Sequence, residues 1–265
     1  MKIKVVFLLC AIFLLAFGNV YAANTSVKSP PLTKLDDVAD EALQMTKLGR
    51  YDEAKQLLEY FSSIFTSETI KARQFSMDEL RVLTLSHDSA LRAVTSMQSS
   101  PDEKLNKVTT FRLVTDALNS RYQPLWTDME SPVMSAFNQA KAAAKTGDLE
   151  AYYFRLNQFL AQYNIIEPSL KVDIPLETVQ RLDAEVNYLD KYRESEGTGR
   201  QLKQMDQLGT DLENVFNQMS QDQTDPSLWW VIFTTGGIII LTLSYVGWRK
   251  YMGQKLDRHQ KNRND

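Results

Sequence analysis

Apolar residues recur every three or four positions along most of this chain, a period that predicts helices. Leu35, Val38, Ala42, Met45 and Leu48 make one such face. Thr33 is placed to cap it, with Asp36 and Asp37 in the opening turn, where the helix dipole favours acids. Gly49 stops that helix, and Tyr51-Asp52-Glu53-Ala54 starts another whose face is Ala54, Leu57, Leu58, Phe61 and Phe65. So short a turn makes the two antiparallel. Ser76-Met77-Asp78-Glu79 is a capping box that opens a helix to about residue 97, with Leu80, Leu83, Ala90, Leu91 and Val94 apolar. Ser100-Pro101 opens the next, to about residue 119, proline being suited to a first turn.

Residues 121–129 look irregular, and Ser131-Pro132 reads as the cap and first turn of a helix that Gly147 ends. Residues 149–163 follow as its partner. Pro168 and Pro175 bracket a connector, 165–174, with some β character, and Pro175 begins a helix to about residue 194. Val179, Leu182, Val186 and Leu189 form its apolar face, and residues 195–199 read as a hinge. The last helix before the apolar C-terminal run, residues 200–221, carries Met205, Leu208, Leu212, Val215 and Met219 at alternating spacings of three and four. This is a heptad seam about two repeats long, interrupted by Gly209. It predicts a helix packed on its own domain, with pairing to a second copy as the alternative. The fold class expected is all-α, built of antiparallel helical hairpins. Residues 45–54 resemble the turn of a tetratricopeptide repeat, and 144–151 echo it one residue shorter.

Two apolar runs depart from the amphipathic pattern. Residues 228–248 hold no charge over 21 positions, and at about 1.5 Å per residue such a helix spans roughly 30 Å, the hydrocarbon thickness of a bilayer. Trp229 and Trp230 stand at one end and Tyr245 and Trp248 at the other, where amphipathic rings favour the headgroups; Arg249 and Lys250 follow at once. The run from Val5 to Phe17 is shorter and follows Lys2 and Lys4, and Val20-Tyr21-Ala22 supplies small residues, so residues 1–22 read as a secretory signal cut after Ala22. Retention of that segment would give a second span. Cys10 follows Leu9, which is too large for a lipoprotein site.

Charge sets the orientation. The whole chain carries −3, the segment before residue 23 contributes +2 and residues 249–265 contribute +4, which leaves −9 on residues 23–227. Basic residues stay on the cytoplasmic side, so the reading is a single-pass type I protein. Its parts are a linker (23–32), an extracytoplasmic helical domain (33–221), a second linker (222–227), a span (228–248) and a cytoplasmic tail (249–265). The acidic domain argues against nucleic acid as a partner. Membrane lipid, an envelope protein and a second copy remain as partners.

Chemistry is scarce. The two histidines are His87 and His259, and the one cysteine, Cys10, lies in the signal, so no typical zinc site, disulfide or cofactor is expected. Ser86-His87-Asp88 lies on one helix, with no strained turn to expose the serine, so no triad is expected and His87 reads as a surface or capping residue. Gly197-Thr198-Gly199 lacks the strand and lysine of a phosphate loop. Asp36, Asp37, Asp40 and Glu41 read as a solvated face. Glu130-Ser131 resembles the Glu-Ser pair of lytic transglycosylases, but Pro132 follows directly and Ser131 as a cap accounts for the pair. An envelope hydrolase is the alternative function this pair keeps open.

Two passages carry a resemblance: LGRYDEAKQLLEYF at 48–61 and SLWWVIFTTGGIIILTLSYVGWRKY at 227–251. With the signal, the acidic helical domain, the single span and the basic tail, the chain resembles the YpjB family of sporulation proteins of endospore-forming Bacillus-type bacteria. That resemblance implies expression during sporulation and residence in a membrane of the developing spore, on the mother-cell side. It carries over no catalytic residue. The function expected is a membrane-anchored, non-enzymatic interaction or scaffold protein, or a structural link from the outer domain to the cytoplasmic membrane surface.

Overall fold

The computed structural model describes residues 30–72, 75–120, 123–193, 199–221 and 226–261. The signal at 1–22, most of the linker at 23–32, residues 195–198 of the hinge and residues 222–225 of the second linker lie outside them. The chain divides into two units, one within Ser26–Gln223 and one that carries the C-terminal helix. In the first, α1 (Pro30–Lys47), α2 (Tyr51–Ala72), α3 (Met77–Thr95) and α4 (Pro101–Asn119) precede a 3₁₀ turn, Leu125–Met129. Then come α5 (Glu130–Thr146), α6 (Leu149–Asp173), α7 (Leu176–Lys191) and α8 (Gly199–Gln221). The second unit holds α9 (Pro226–Lys261). The protein is all-α, with no strand among the described residues.

Local signals placed several helix ends. Ser76 and Glu79 close a reciprocal capping box on α3, and the Ser100 hydroxyl caps α4 with Pro101 in the first turn. Gly49 ends α1 at φ +72°, where its N–H donates to Thr46 O and that of Arg50 to Met45 O, the two bonds of a Schellman turn. Gly147 ends α5 at φ +73°. A Cβ at Gly49 would meet nothing within 4 Å, so the demand there is on backbone conformation alone. Gly49→Val should therefore cost about 1–2 kcal/mol, with Gly49→Asn milder, read from urea unfolding of the fragment 26–223.

Other ends differ from the sequence reading. α1 begins at Pro30, ahead of Thr33, so Asp36 and Asp37 lie in its second turn and Thr33 caps nothing. Leu48, at the turn, is 67% exposed and does not share the buried face of Leu35, Val38 and Ala42. α5 begins at Glu130 directly after the 3₁₀ turn, so Ser131 sits inside the helix and caps nothing. The largest correction is α6. It runs through Pro168 to Asp173 as one helix of 25 residues, so the supposed connector at 165–174 is helical except for the extended Ile174 that closes it. Proline's φ suits a helix, and its cost is one lost hydrogen bond and crowding of the preceding turn, about 3 kcal/mol. Ile165, Ile166 and Leu170 are buried along that stretch and offset it.

Two apolar clusters fill the first unit. One joins α1–α4 around Leu58, Phe61, Val108 and Phe111; the other joins α5–α8 and the 3₁₀ turn around Trp126, Phe137, Phe159 and Ile166. α4 belongs to both, with Phe111 and Val114 in the first and Leu113 and Ala117 in the second. A helix buried on two flanks keeps little polar surface.

Candidate functional site

The Ser86-His87-Asp88 trio is used for packing. His87 is buried on α3, with ring centroids 5.8 Å from Phe61 and 5.4 Å from Phe111. Its Nε2 lies 2.9 Å from the Leu58 carbonyl, which can only accept, so Nε2 carries the proton and donates. Ser86 Oγ donates to Leu83 O of its own helix (2.9 Å), and His87 Nδ1 faces Asp88 at 3.5 Å. A nucleophilic triad needs a basic ring nitrogen on the serine hydroxyl, and neither nitrogen is placed there. His87 pins α3 to α2. Reading His87 as a surface or capping residue is thereby corrected: it is buried. Among the described residues no group of three His, Cys, Asp or Glu side chains could hold a metal ion.

The acidic face of α1 is also corrected in part. Asp37 and Glu41 are exposed, but Asp36 Oδ1 accepts from Arg112 Nη1 at 2.8 Å and Asp40 Oδ1 from Arg112 Nε at 3.3 Å. Arg112 is buried on α4 and lies 3.9 Å from Asp116, so one cation joins three carboxylates across two helices. Glu130 is exposed.

Two further carboxylates are withdrawn from water, Asp173 in part and Glu185 almost wholly, where sequence patterns offered no warning. Asp173 accepts from Trp126 Nε1 at 2.7 Å, and burial pushes its carboxyl up to about 7 despite that hydrogen bond. Glu185 on α7 is 8% exposed, and its Oε2 has no hydrogen-bond partner. Burial, with Asp211 of α8 beside it, pushes Glu185 up to about 7. Asp211 already holds Arg181 Nε at 2.9 Å, so that cation is shared between two acids. Tyr163 donates to Asp183 at 2.8 Å, and burial raises its phenol.

The raised Glu185 carboxyl gives a signed prediction. A group whose folded pKa exceeds its unfolded one stabilises fully below the unfolded value, and that gain is lost as pH rises through the folded value, here about 7. Glu185→Gln stays neutral throughout. It should match the wild type near pH 4.5 and be more stable by about 1–3 kcal/mol at pH 8. Urea midpoints measured at both pH values check it; an equal effect at both would refute the titration.

The residues of the heptad seam all face inward. Met205, Leu208, Leu212 and Val215 are buried in the cluster of α5–α8, and Met219 packs against it. Gly209 belongs to the same contact: a Cβ there would lie 2.9 Å from Phe137 Cε1, so glycine lets α8 approach α5. On α9, Tyr245, Trp248, Arg249 and Lys250 are exposed, while the side chains of Trp229 and Trp230 lie outside the description. The stretch Val231–Tyr251 is long and apolar enough to cross a membrane, and none of it is buried against protein. The helix continues ten residues beyond Tyr251 into the basic segment.

Surface concavities lie on either side of α6. One, of about 400 Å³, runs along the first half of α4 and includes Asn106, Thr110, Asn164 and Ile165. The other, of about 270 Å³, lies against α5 and includes Ser135, Gln139, Gln158 and Gln162. Ala161 lines both.

Residues 32–261 match the family described as Sporulation protein YpjB (SpoYpjB), a stretch that takes in both the helical domain and α9. The chain belongs to the YpjB family of sporulation proteins. Within the YpjB family, the protein named Uncharacterized protein YpjB of Bacillus subtilis (strain 168) is 33% identical over 252 residues, 93% of this chain and 94% of the relative. No solved structure matches the chain. Neither YpjB description names a reaction or ligand, so the site residues rest on this chain's own geometry.

Proposed function

We propose that this YpjB-family protein is a membrane-anchored, non-enzymatic interaction protein of the cell envelope that acts in endospore formation. Its helical domain lies outside the cytoplasm, its basic end lies inside, and it resides in the mother-cell membrane of the developing spore. The observation that carries the reading is α9, whose apolar stretch of 21 residues is unburied by protein. Apolar surface left in water costs about 25 cal/mol per Å², and a bilayer removes that cost along the whole stretch. Exposed Arg249 and Lys250 at its end suit the anionic cytoplasmic leaflet. The non-enzymatic part is supported by the use of Ser86 and His87 in packing.

Topology provides the test. Protease added to intact protoplasts of a sporulating host should remove the helical domain and leave a tag fused after Asp265 protected. Loss of that tag without lysis would invert the orientation, and recovery of the full chain in the soluble fraction would remove the membrane reading.

A further inference from the structure

Helix α7 is docked by its apolar face of Val179, Leu182, Val186 and Leu189 and by a set of polar contacts to its neighbours. Tyr163 of α6 donates to Asp183 at 2.8 Å, and Lys171 of α6 lies 3.7 Å from the same carboxylate and pairs with Glu167. Arg181 reaches Asp211 of α8 at 2.9 Å, and Gln207 of α8 donates to Asp211 at 3.2 Å. Glu185 faces this set, with Asp211 acting on it from α8, Tyr163 beside it on α6 and Arg181 one turn back on its own helix. Its Oε2 is buried and receives none of these hydrogen bonds, because each donor is committed to another acid.

An ionised carboxylate buried without a donor is costly, and Glu185 has two ways to avoid that cost. It can keep a proton, or it can carry its charge out to water. Arg181 attracts the anion, but its side chain is half exposed and already holds Asp211, so burial and the Asp211 charge win. Reaching water means moving α7, because Glu185 shares the buried side of that helix with Leu182, Val186 and Leu189. We infer that the seam between α7 and α8 is a proton-controlled latch: α7 stays docked while Glu185 is protonated, and loosens to uncover its apolar face when Glu185 ionises. The sign follows from the raised carboxyl. Its contribution to docking is complete below the value of a free glutamic acid and is lost as pH rises through about 7, so the latch opens toward alkaline pH. The release is local, since α1–α4 are filled by an apolar cluster of their own.

Hydrogen exchange of the full-length protein in detergent micelles tests the latch, read by peptide at about pH 6 and about pH 8 and divided by the intrinsic rate at each. Opening of α7 should rise about tenfold between the two, the ratio for a carboxyl that titrates near 7 when docked and near 4.5 when free. At either pH α7 should open at least about tenfold more often than α4, because only α7 is released. Glu185→Gln should abolish the rise. Asp211→Asn, which removes the repelling charge and frees Arg181 for Glu185, should shrink it, and this variant decides the matter if Glu185→Gln does not fold. A rise that survives both substitutions belongs to another group, Asp173 included, and overturns the latch. So does α7 protection that is equal at the two pH values. Opening of α7 and α4 at one common rate would overturn it too, since that is unfolding of the whole domain.

Discussion

Arg112→Met lowers the unfolding free energy of the fragment 26–223 by about 3–5 kcal/mol, the expected loss when one partner of a buried ion cluster is removed. The size of the effect comes from what is left behind. Asp36 and Asp116 have side chains 15% and 7% exposed, and methionine fills the arginine's volume while removing their common cation. Asp116 keeps the Leu125 N–H at 2.7 Å and the Ser120 hydroxyl at 3.0 Å, so part of its charge remains solvated by protein. Asp40, half exposed, turns to water. Restoring neutrality with Asp36→Asn in the same chain should return more than 1 kcal/mol, a coupling that independent sites would not show. The exposed neighbour Asp37→Asn, by contrast, should move stability by no more than about 0.5 kcal/mol. Urea midpoints followed by circular dichroism read all three. Arg112→Met with an unchanged midpoint would mean that water reaches the cluster freely.

The Arg112 cluster also shows why parts of this molecule were legible in the sequence and others were not. Ser76 with Glu79, Ser100 with Pro101, and the glycines at 49 and 147 act within one helical turn, and each fell where its local chemistry placed it. Asp36 meets an arginine 76 positions away, a separation at which a run of acids on α1 looks like any solvated face. Thr33 and Ser131 are good cap residues left unused, because α1 has already begun at Pro30 and the 3₁₀ turn feeds straight into α5. Pro168 is the same conflict at larger scale: the rule that proline ends a helix yields to Ile165, Ile166 and Leu170 buried beside it. Asp173 and Glu185 gave no sequence signal, because their burial depends on Trp126 and Asp211 arriving from other helices.

The heptad seam of α8 supplies the other large effect. Leu208→Ala and Leu212→Ala should each cost about 2–5 kcal/mol, the range for emptying a fully buried leucine site. Leu208 has no exposed surface and Leu212 only 1%, and their neighbours are this chain's own α5–α8 cluster. The two positions are one helical turn apart, so the double variant should depart from additivity through a shared cavity. What separates packing within one chain from pairing between two copies is concentration. A seam satisfied inside the domain gives a urea midpoint that stays fixed over a hundredfold range of protein, in wild type and variants alike. A seam satisfied by a second copy gives a midpoint that rises with protein and a variant that loses the rise along with its stability. Gly209→Val adds a check on the same surface. Its Cβ would press on Phe137 across to α5, a contact made inside one chain, and should cost about 1–3 kcal/mol. A midpoint that climbs with concentration in the wild type, together with a Gly209→Val protein as stable as its parent, would reassign the seam to a dimer.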